Sequence, residues 1–320
     1  MLRVGVVGVG HLGRFHTRVY SELDSCELVG VHDTDAARAA EIAEEYGTTA
    51  FSELEALLDG ADAVSIATPT VSHHDVAKLC LEAGLHILIE KPMARTVEEA
   101  SELVDLGREK GLVVAVGHIE RFNPAVRAAM AVLDSPKFIE VHRLGVFVPR
   151  GTDVAVVLDL MIHDIDLILG AVASDVTSIE AVGIPVLSPN IDIANARLSF
   201  ADGCVANITA SRVSREKVRK IRFFQADAYV SVDTLEPRAQ VFRRKEVSEE
   251  KLLQISSGQI EGGLGDVVDY EDLPLDSQDS LELELGAFID AACGRSAPVV
   301  SGDDGRRALE VALEILRQTG

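Results

Sequence analysis

The stretch LRVGVVGVGHLG, residues 2–13, joins an apolar run to three closely spaced glycines. Residues 2–7 predict a buried parallel strand, and a helical pattern follows through about Leu23. In this setting Gly8 allows a tight turn, Gly10 lets the backbone approach a pyrophosphate, and Gly13 lets the helix pack closely on the strand. The pattern is typical of a dinucleotide-binding site, and the alternative is a glycine-rich turn without a ligand.

Asp33 follows a second apolar run, residues 27–32, and would lie at the end of the second strand. There it can accept hydrogen bonds from the adenosine ribose hydroxyls, and its charge would repel a 2′-phosphate, which favours NAD over NADP. The alternative is that Asp33 or Thr34 only caps the helix predicted at residues 33–46. Arg38, one turn into that helix, leaves NADP open.

The composition is that of a globular protein with 320 residues, 47% of them hydrophobic and 26% charged, which is enough for two domains. The net charge of −22 argues against nucleic acid or an anionic membrane as the partner. No apolar stretch approaches the roughly 20 residues that a membrane span needs. Four scattered cysteines without a CxxC pair fit a reducing compartment, so we expect a cytoplasmic protein without a metal. Because the first predicted strand begins at residue 2, we also expect no signal peptide.

Apolar runs at residues 61–67, 85–89 and 112–117 alternate with helical patterns. This alternation predicts a doubly wound parallel sheet, an α/β Rossmann domain that we place at residues 1–121. Ligands bind beyond the carboxyl ends of such strands. Those ends carry Thr68, Pro69, Glu90, Lys91, Pro92 and residues 118–121, and His73 opens the helix after the third strand.

The pattern changes after Arg121, and we assign residues 122–320 to a second, α+β domain. Strands expected at residues 137–148, 194–200, 204–211, 220–224, 228–232 and 239–243 predict a large, mainly antiparallel open sheet. Residues 245–276 form a polar, glycine-rich excursion, and such excursions are either functional or mobile. Two amphipathic helices, residues 281–293 and 303–317, close the chain.

Lys91 directly follows the predicted strand at residues 85–89 and lies between Glu90, which can hold it electrostatically, and Pro92. A lysine at the mouth of a nucleotide site can donate a hydrogen bond to a substrate hydroxyl. It would then stabilise the alkoxide character that develops during hydride transfer. The alternative is a surface lysine with its own ion pair.

The segment VLDLMIHDID, residues 157–166, places ionisable residues in an otherwise apolar helix predicted at residues 154–169. Asp159 and His163 are four residues apart and share one face, with Asp166 three residues further on. Because unpaired ionisable groups are costly to bury, this face must be paired or must line a cavity. A carboxylate orients an imidazole and stabilises its protonated form, as a general base requires. The alternatives are a structural Asp–His pair and a metal site.

Six of the eleven residues from Arg212 to Arg222 are basic, in a strongly acidic chain. They could bind the phosphate groups of a substrate. Arg212 directly follows the strand predicted at residues 204–211, so its side chain could point into a crevice. The alternative is a charged edge strand that resists aggregation.

Four motifs occur in the order and at the spacing of a known enzyme family. They are the glycine turn, Ala67-Thr68-Pro69-Thr70 with His73-His74, Glu90-Lys91-Pro92, and Asp159-x3-His163. With them the chain resembles, over essentially its whole length, the Gfo/Idh/MocA family of NAD(P)-dependent sugar and cyclitol oxidoreductases. The resemblance implies a Rossmann domain, a second domain with a large open sheet, and assembly through that sheet into a homodimer or homotetramer.

The family pattern matches Lys91, Asp159 and His163 to the catalytic residues. We expect cofactor contacts from Gly8, Gly10, His11, Leu12, Gly13, Asp33, Thr68, Pro69, His73, Glu90, Lys91 and Arg121. We expect substrate contacts from Lys91, Arg121, Asp159, His163 and Arg212.

Residues 117–124 and 161–166 look most like the branch of that family that acts on UDP-N-acetylglucosamine at C3. The commoner family form has a glycine where this chain has Met161, which would alter packing in the pocket. The resemblance implies an NAD-dependent dehydrogenase that oxidises a secondary hydroxyl of a sugar, here the C3 hydroxyl of UDP-N-acetylglucosamine. Inositol or free-sugar dehydrogenation, NAD-assisted glycoside cleavage and a non-catalytic NAD-binding scaffold are the alternatives.

Overall fold

The computed structural model describes residues 1–148, 154–248, 253–255, 257 and 264–319. The chain divides into two compact units. The first contains Met1–Phe122, Ile165–Leu169 and Gln278–Arg317, and the second contains Asn123–Asp164, Gly170–Ser277 and Gln318–Gly320. Part of the excursion predicted at residues 245–276 lies outside the described residues. Among the helices that are described, none has both the length and the apolar character needed to cross a membrane.

A six-stranded parallel sheet forms the centre of the first unit. Its strands are β1 (Leu2–Val7), β2 (Cys26–His32), β3 (Ala50–Phe51), β4 (Ala63–Ile66), β5 (His86–Glu90) and β6 (Val114–Gly117). Its α-helices are His11–Glu22, Ala36–Tyr46, Leu54–Gly60, Thr70–Glu82, Val97–Lys110, Ser280–Ala292 and Gly302–Thr319, with a 3-10 helix at Ile119–Phe122. The strand order is β3-β2-β1-β4-β5-β6, and every neighbouring pair is parallel. This is the dinucleotide-binding order, with its switch point between β1 and β4, and the predicted Rossmann fold is confirmed.

The C-terminal helices belong to the core of the first unit, although we expected residues 278–317 in the second domain. Helix Ser280–Ala292 buries Leu285, Phe288 and Ile289 in the same apolar cluster as Val4 of β1. The chain therefore returns to the first sheet after completing the second. Burial of an amphipathic helix face on this core explains the return, and sequence order alone could not show it.

An eight-stranded sheet forms the second unit. Its strands are β7 (Phe138–Leu144), β8 (Val176–Ile184), β9 (Ile193–Phe200), β10 (Val205–Ser211), β11 (Val218–Phe224), β12 (Ala228–Asp233), β13 (Arg238–Arg244) and β14 (Val268–Asp272). Its helices are Pro124–Met130, a π-helix at Val157–Met161 and the short helix Leu264–Val267. It also contains both ends of the α-helix Ile162–Ala171, of which Ile165–Leu169 belong to the first unit. The strand order is β14-β13-β12-β11-β7-β10-β9-β8, and only β10 and β7 pair in parallel. The predicted large, mainly antiparallel sheet is confirmed.

The strand β11 lies inside this sheet, between β12 and β7. The alternative that basic residues 212–222 form a protective edge strand is therefore wrong. Side chains of β11 alternate between two faces, because successive residues of a strand point to opposite sides. Ile221 and Phe223 are buried, whereas Arg222 lies on the open face, where it pairs with Glu140 at 2.7 Å.

Five aromatic side chains form a continuous row on the open face of the second sheet. The rings are those of Phe138, Phe224, Tyr229, Phe242 and Tyr270, one from each of β7, β11, β12, β13 and β14. Successive ring centroids are 5.5, 4.8, 5.0 and 6.0 Å apart. Cross-strand aromatic pairs of this kind stabilise a sheet.

Three strands have no counterpart in the sequence prediction: β3, β8 and β14. β3 is only two residues long and lies just before helix Leu54–Gly60, so it is too short to give a periodic pattern. The strands β8 and β14 are the two edges of the second sheet. Edge strands are less buried, so their sequences lack the apolar runs that predict a strand.

Candidate active site

The glycine turn after β1 leaves open space at the start of helix His11–Glu22. Gly8 has a φ of 84°, in the left-handed region that favours glycine. A Cβ on Gly13 would overlap the carbonyl oxygen of Gly8, so the close approach of helix and strand needs a glycine here. Around Gly10, by contrast, an added Cβ would meet no atom within 4 Å. Backbone N–H groups of a first helical turn can bind phosphate oxygens in such a space.

Asp33 at the end of β2 faces the glycine turn. Its carboxylate accepts hydrogen bonds from the backbone N–H groups of Val9 at 2.7 Å and Asp35 at 2.9 Å. Asp35, and not Asp33, caps helix Ala36–Tyr46 by accepting hydrogen bonds from two N–H groups of its first turn. The capping alternative for Asp33 is therefore wrong. Arg38 also reaches the turn, since its Nε donates to the carbonyl oxygen of Val9 at 3.1 Å.

Thr68 and Pro69 follow β4 and precede helix Thr70–Glu82. The Oγ1 of Thr68 is buried and has no hydrogen-bond partner among the described residues. His73 lies behind this turn, with Nδ1 2.9 Å from the carbonyl oxygen of Pro92 and Nε2 2.8 Å from that of Thr68. Burial lowers the pKa of His73, although both carbonyl groups favour the protonated ring. His73 thus bridges the segments after β4 and β5, which gives it a positioning role.

Glu90 ends β5, and its buried carboxylate supports the turn that carries Lys91. His16 Nε2 lies 3.2 Å from one carboxylate oxygen, and the backbone N–H of Lys91 donates to the other at 3.2 Å. His16 Nδ1 is in turn 3.2 Å from Ser65 Oγ, which lies 2.9 Å from the Tyr20 hydroxyl. Burial opposes the ionisation of Glu90, but the His16 hydrogen bond and the Lys91 charge hold its pKa below the usual range. Sequence analysis identified none of His16, Ser65 and Tyr20.

Asp166 and Glu284 are also buried acidic side chains of the first unit. Asp166 accepts two side-chain hydrogen bonds from Arg121, so it is a structural partner, and the metal alternative loses one of its expected ligands. Neither carboxylate oxygen of Glu284, in helix Ser280–Ala292, has a hydrogen-bond partner among the described residues. Burial, followed by the charges of Glu90 and Asp166, raises the pKa of Glu284 well above the usual range. No sequence pattern marked Glu284, since it occupies an ordinary helical position.

The segment that carries Asp159 and His163, predicted as one helix at residues 154–169, consists of two helices of different type. A π-helix spans Val157–Met161, and an α-helix begins at Ile162. Asp159 lies in the π-helix and His163 in the first α-helical turn, and both are half-buried. Short π-helical turns occur frequently at functional sites. Apolar periodicity cannot separate the two helix types, so no pattern in the sequence signals this change.

Asp164, next to His163, forms a buried ion pair with Arg143 of β7. The Arg143 Nε lies 2.7 Å from one carboxylate oxygen of Asp164, and a terminal guanidinium nitrogen lies 2.8 Å from the other. Such a bidentate pair fixes both side chains geometrically. It therefore anchors the start of the helix that carries His163 to the middle of the second sheet.

Arg212 is buried after β10 and is held by groups of the second unit. Its guanidinium donates to the carbonyl oxygen of Val154, and its Nε lies 3.8 Å from Asp192 Oδ1. Burial opposes the ionisation of Asp192. Hydrogen bonds from the hydroxyl of Ser188 and from the backbone N–H groups of residues 186–188 nevertheless keep its pKa well below the usual range. Arg212 thus supports the segment that leads to the π-helix, and it also lines a pocket beside Asp159.

The first unit fits NAD at the switch point of its sheet. Open space at Gly10 suits a pyrophosphate, the unpartnered Oγ1 of Thr68 can bind a polar cofactor group, and Asp33 can accept hydrogen bonds from ribose hydroxyls. His11 and Leu12 are exposed at the start of the helix beside this space. Among the described residues, no group of three or more His, Cys, Asp or Glu side chains could hold a metal ion.

Two family models match the chain. Residues 2–118 match the Gfo/Idh/MocA model described as an oxidoreductase family with an NAD-binding Rossmann fold. Residues 127–230 match the Gfo/Idh/MocA C-terminal domain. The two matches together cover parts of both units.

Known proteins resemble the chain over most of its length. UDP-N-acetylglucosamine 3-dehydrogenase of Acidithiobacillus ferrooxidans is 40% identical over 315 residues, which are 98% of this chain and 96% of that enzyme. A solved structure of the same enzyme superposes with a TM-score of 0.89 and 38% identity, covering 99% of this chain and 97% of that chain. The NAD-dependent scyllo-inositol 2-dehydrogenase of Bacillus subtilis is 30% identical over 232 residues, 67% of this chain and 68% of that enzyme.

Proposed function

The chain belongs to the Gfo/Idh/MocA family of oxidoreductases with an NAD-binding Rossmann domain, and we propose that it oxidises UDP-N-acetylglucosamine at the C3 hydroxyl. The observation that carries this choice of substrate is the similarity to the Acidithiobacillus enzyme, which extends over both units. The pocket beside Asp159 supports it, because basic side chains line a site in an acidic chain.

We assign three roles in the reaction to residues of this chain. His163 removes the proton of the sugar hydroxyl, and Asp159 orients the imidazole and stabilises its protonated form. Lys91 donates a hydrogen bond to the same oxygen and stabilises its developing negative charge. Bound NAD supplies the hydride acceptor, nicotinamide C4. The cofactor is held by the glycine turn, Asp33 and Thr68, while His73, Glu90 and Arg121 position the surrounding backbone.

Oxidation rates with three substrates test the proposed function. UDP-N-acetylglucosamine should support NADH formation, whereas free N-acetylglucosamine should not, because binding of the remote UDP group positions the sugar. scyllo-Inositol is the third substrate, since the similarity to the Bacillus enzyme makes a cyclitol the second candidate. Comparable rates with the free sugar and its UDP derivative, or a preference for the cyclitol, would overturn the assignment.

We also propose a homodimer or homotetramer that assembles through the open face of the second sheet. The half-exposed aromatic row on that face supports this, because apolar rings gain stability when a partner covers them. Light scattering after gel filtration measures the mass, and Phe242→Lys should shift it towards the monomer. An unchanged mass would contradict the choice of surface.

The four free cysteines fit a reducing compartment, and we propose the cytoplasm.

A further inference from the structure

A pocket in the second unit combines Asp159 with four basic side chains. The pocket has a volume of about 180 Å³, and its cations are Arg143, Arg212, Lys217 and Arg219. The whole chain carries a net charge of −22, so a lining with this excess of positive charge is unusual for its surface. A local positive field of this kind attracts an anionic ligand and orients it.

Strand register brings three of these cations to one end of the sheet. Arg143 of β7 is directly opposite Arg219 of β11, and like charges in that arrangement destabilise a sheet. Arg212 follows Ser211, which pairs with Leu144 on the other side of β7. Asp164 neutralises Arg143, and Asp192 lies beside Arg212. Each of the two buried arginines therefore has a carboxylate that compensates its charge.

Lys217 differs from the other three cations. It is exposed and makes no hydrogen bond or ion pair within the described residues. Its ammonium group can therefore turn to a ligand at little cost, because a lysine side chain moves freely and brings three donors. Lys217 therefore provides positive charge that the nearby buried carboxylates do not match.

The volume of the pocket limits what it can hold. A space of about 180 Å³ corresponds to roughly six water molecules of bulk liquid. Sites for whole drug-sized ligands are larger, about 300–1,000 Å³. The space suits one compact, charged part of a nucleotide sugar, and Asp159 on the same lining places that part beside the reacting sugar.

We infer that this pocket binds the diphosphate of the nucleotide sugar, with Lys217 as a specificity-determining contact, an inference that rests on the proposed function. Lys217 selects for the diphosphate and takes no part in proton transfer. Its loss should therefore weaken binding of the ground state and the transition state equally. Such a loss raises KM and leaves kcat unchanged.

Binding of UDP, measured by calorimetry, tests the inference without any need for turnover. Lys217→Gln should weaken UDP binding about tenfold or more, the range for a lost charge-assisted hydrogen bond. Lys217→Arg should restore it. Lys220→Gln is the matched control, because Lys220 is an exposed lysine three residues away that lies near Asp233 at 3.9 Å. Uridine without phosphates should bind weakly to every variant.

Equal UDP affinity in the wild type and Lys217→Gln, or no UDP binding in the wild type, would overturn the inference. Kinetics with UDP-N-acetylglucosamine separate this outcome from a failure of the proposed function. Turnover of that substrate with an unchanged KM in Lys217→Gln refutes only the diphosphate contact. Absence of turnover together with Lys217-dependent UDP binding refutes the assigned reaction and supports the pocket.

Discussion

Arg121 donates two parallel hydrogen bonds to Asp166. Its Nε bonds one carboxylate oxygen at 2.6 Å, and a terminal nitrogen bonds the other at 2.8 Å. The same terminal nitrogen also donates to the Asp166 carbonyl oxygen at 3.0 Å. Asp166 is almost fully buried, so the arginine is its source of compensating charge. The other terminal nitrogen of Arg121 makes no hydrogen bond within the described part of the chain, so it can make the ligand contact expected from the sequence.

Arg121→Met should therefore destabilise the protein strongly. The variant leaves Asp166 buried without its cation, which typically costs about 3–5 kcal/mol. Urea unfolding measures the loss. The control is Arg3→Met, which breaks the solvent-exposed pair of Arg3 and Asp62 and should cost far less. Similar losses for the two variants would show that Arg121 has no special structural role.

Alanine at Gly13 and alanine at Gly10 should have different consequences. At Gly13 the new Cβ would overlap the Gly8 carbonyl oxygen, so both stability and NAD affinity should fall, stability by about 1–3 kcal/mol. At Gly10 the Cβ meets no protein atom, so only NAD affinity should fall. Thermal unfolding and calorimetry distinguish the two losses. Normal NAD binding by Gly10→Ala would show that the pyrophosphate does not occupy the space beside Gly10.

Asp33 should make the protein prefer NAD to NADP. A 2′-phosphate beside its carboxylate meets a like charge, which costs at least about 1 kcal/mol and hence several-fold in affinity. Asp33→Ser should narrow the preference, and Arg38, which lies beside the same turn, should then gain importance for NADP. Calorimetry with both dinucleotides gives the two affinities. Tighter binding of NADP by the wild type would contradict this role of Asp33.

Lys91→Ala and His163→Ala should lower turnover strongly. A group that helps proton transfer typically contributes about 10²–10⁴-fold to the rate. NAD affinity should remain largely unchanged, because both groups act mainly in the transition state. Lys78→Ala is a suitable control, since Lys78 forms an exposed ion pair with Glu102 in the same unit. Near-normal turnover in either test variant would exclude the role assigned to that residue.

Glu284 should make stability depend on pH. Burial, and then the charges of Glu90 and Asp166, raise its pKa above the value of about 4.3 expected in the unfolded chain. The contribution of Glu284 to stability is fully present below about pH 4.3 and is lost as the pH rises towards the folded-state pKa. The loss approaches about 1.4 kcal/mol per pH unit.

Glu284→Gln removes this titration while keeping the side-chain shape. Its stability relative to the wild type should therefore improve as the pH rises above about 4.3, as measured by urea unfolding. Glu282→Gln, an exposed change on the same helix, should show no such trend. A constant difference between Glu284→Gln and the wild type would mean that Glu284 titrates normally.

Local signals in the sequence were sufficient for five of the six strands of the first sheet and for its cofactor turn. The glycines at residues 8–13, Asp33 and the strand end before Lys91 each have a pattern that specifies position and chemistry together. His16 has no such pattern. Its burial and its partners depend on Ser65, 49 residues away, and on Glu90. Only the folded chain brings these residues together.

The second unit shows the same limit on a larger scale. The sequence identified β11 as a strand but could not give its neighbours, so its basic residues could be assigned to an edge. The pairing of β11 with β7 spans more than 70 residues and is not encoded locally. The π-helix at Val157–Met161 was equally invisible, because its residues also satisfy an α-helical pattern.

The aromatic row of the second sheet has a spectroscopic consequence. The chain contains no tryptophan and four tyrosines, and two of these, Tyr229 and Tyr270, are members of the row. A third, Tyr20, is buried in the core of the first unit. The tyrosine bands of the near-ultraviolet circular dichroism spectrum should therefore follow both units without overlap from tryptophan. Bound NADH can receive no excitation energy from tryptophan, because the chain has none. Any energy transfer from the protein to NADH therefore starts from tyrosine.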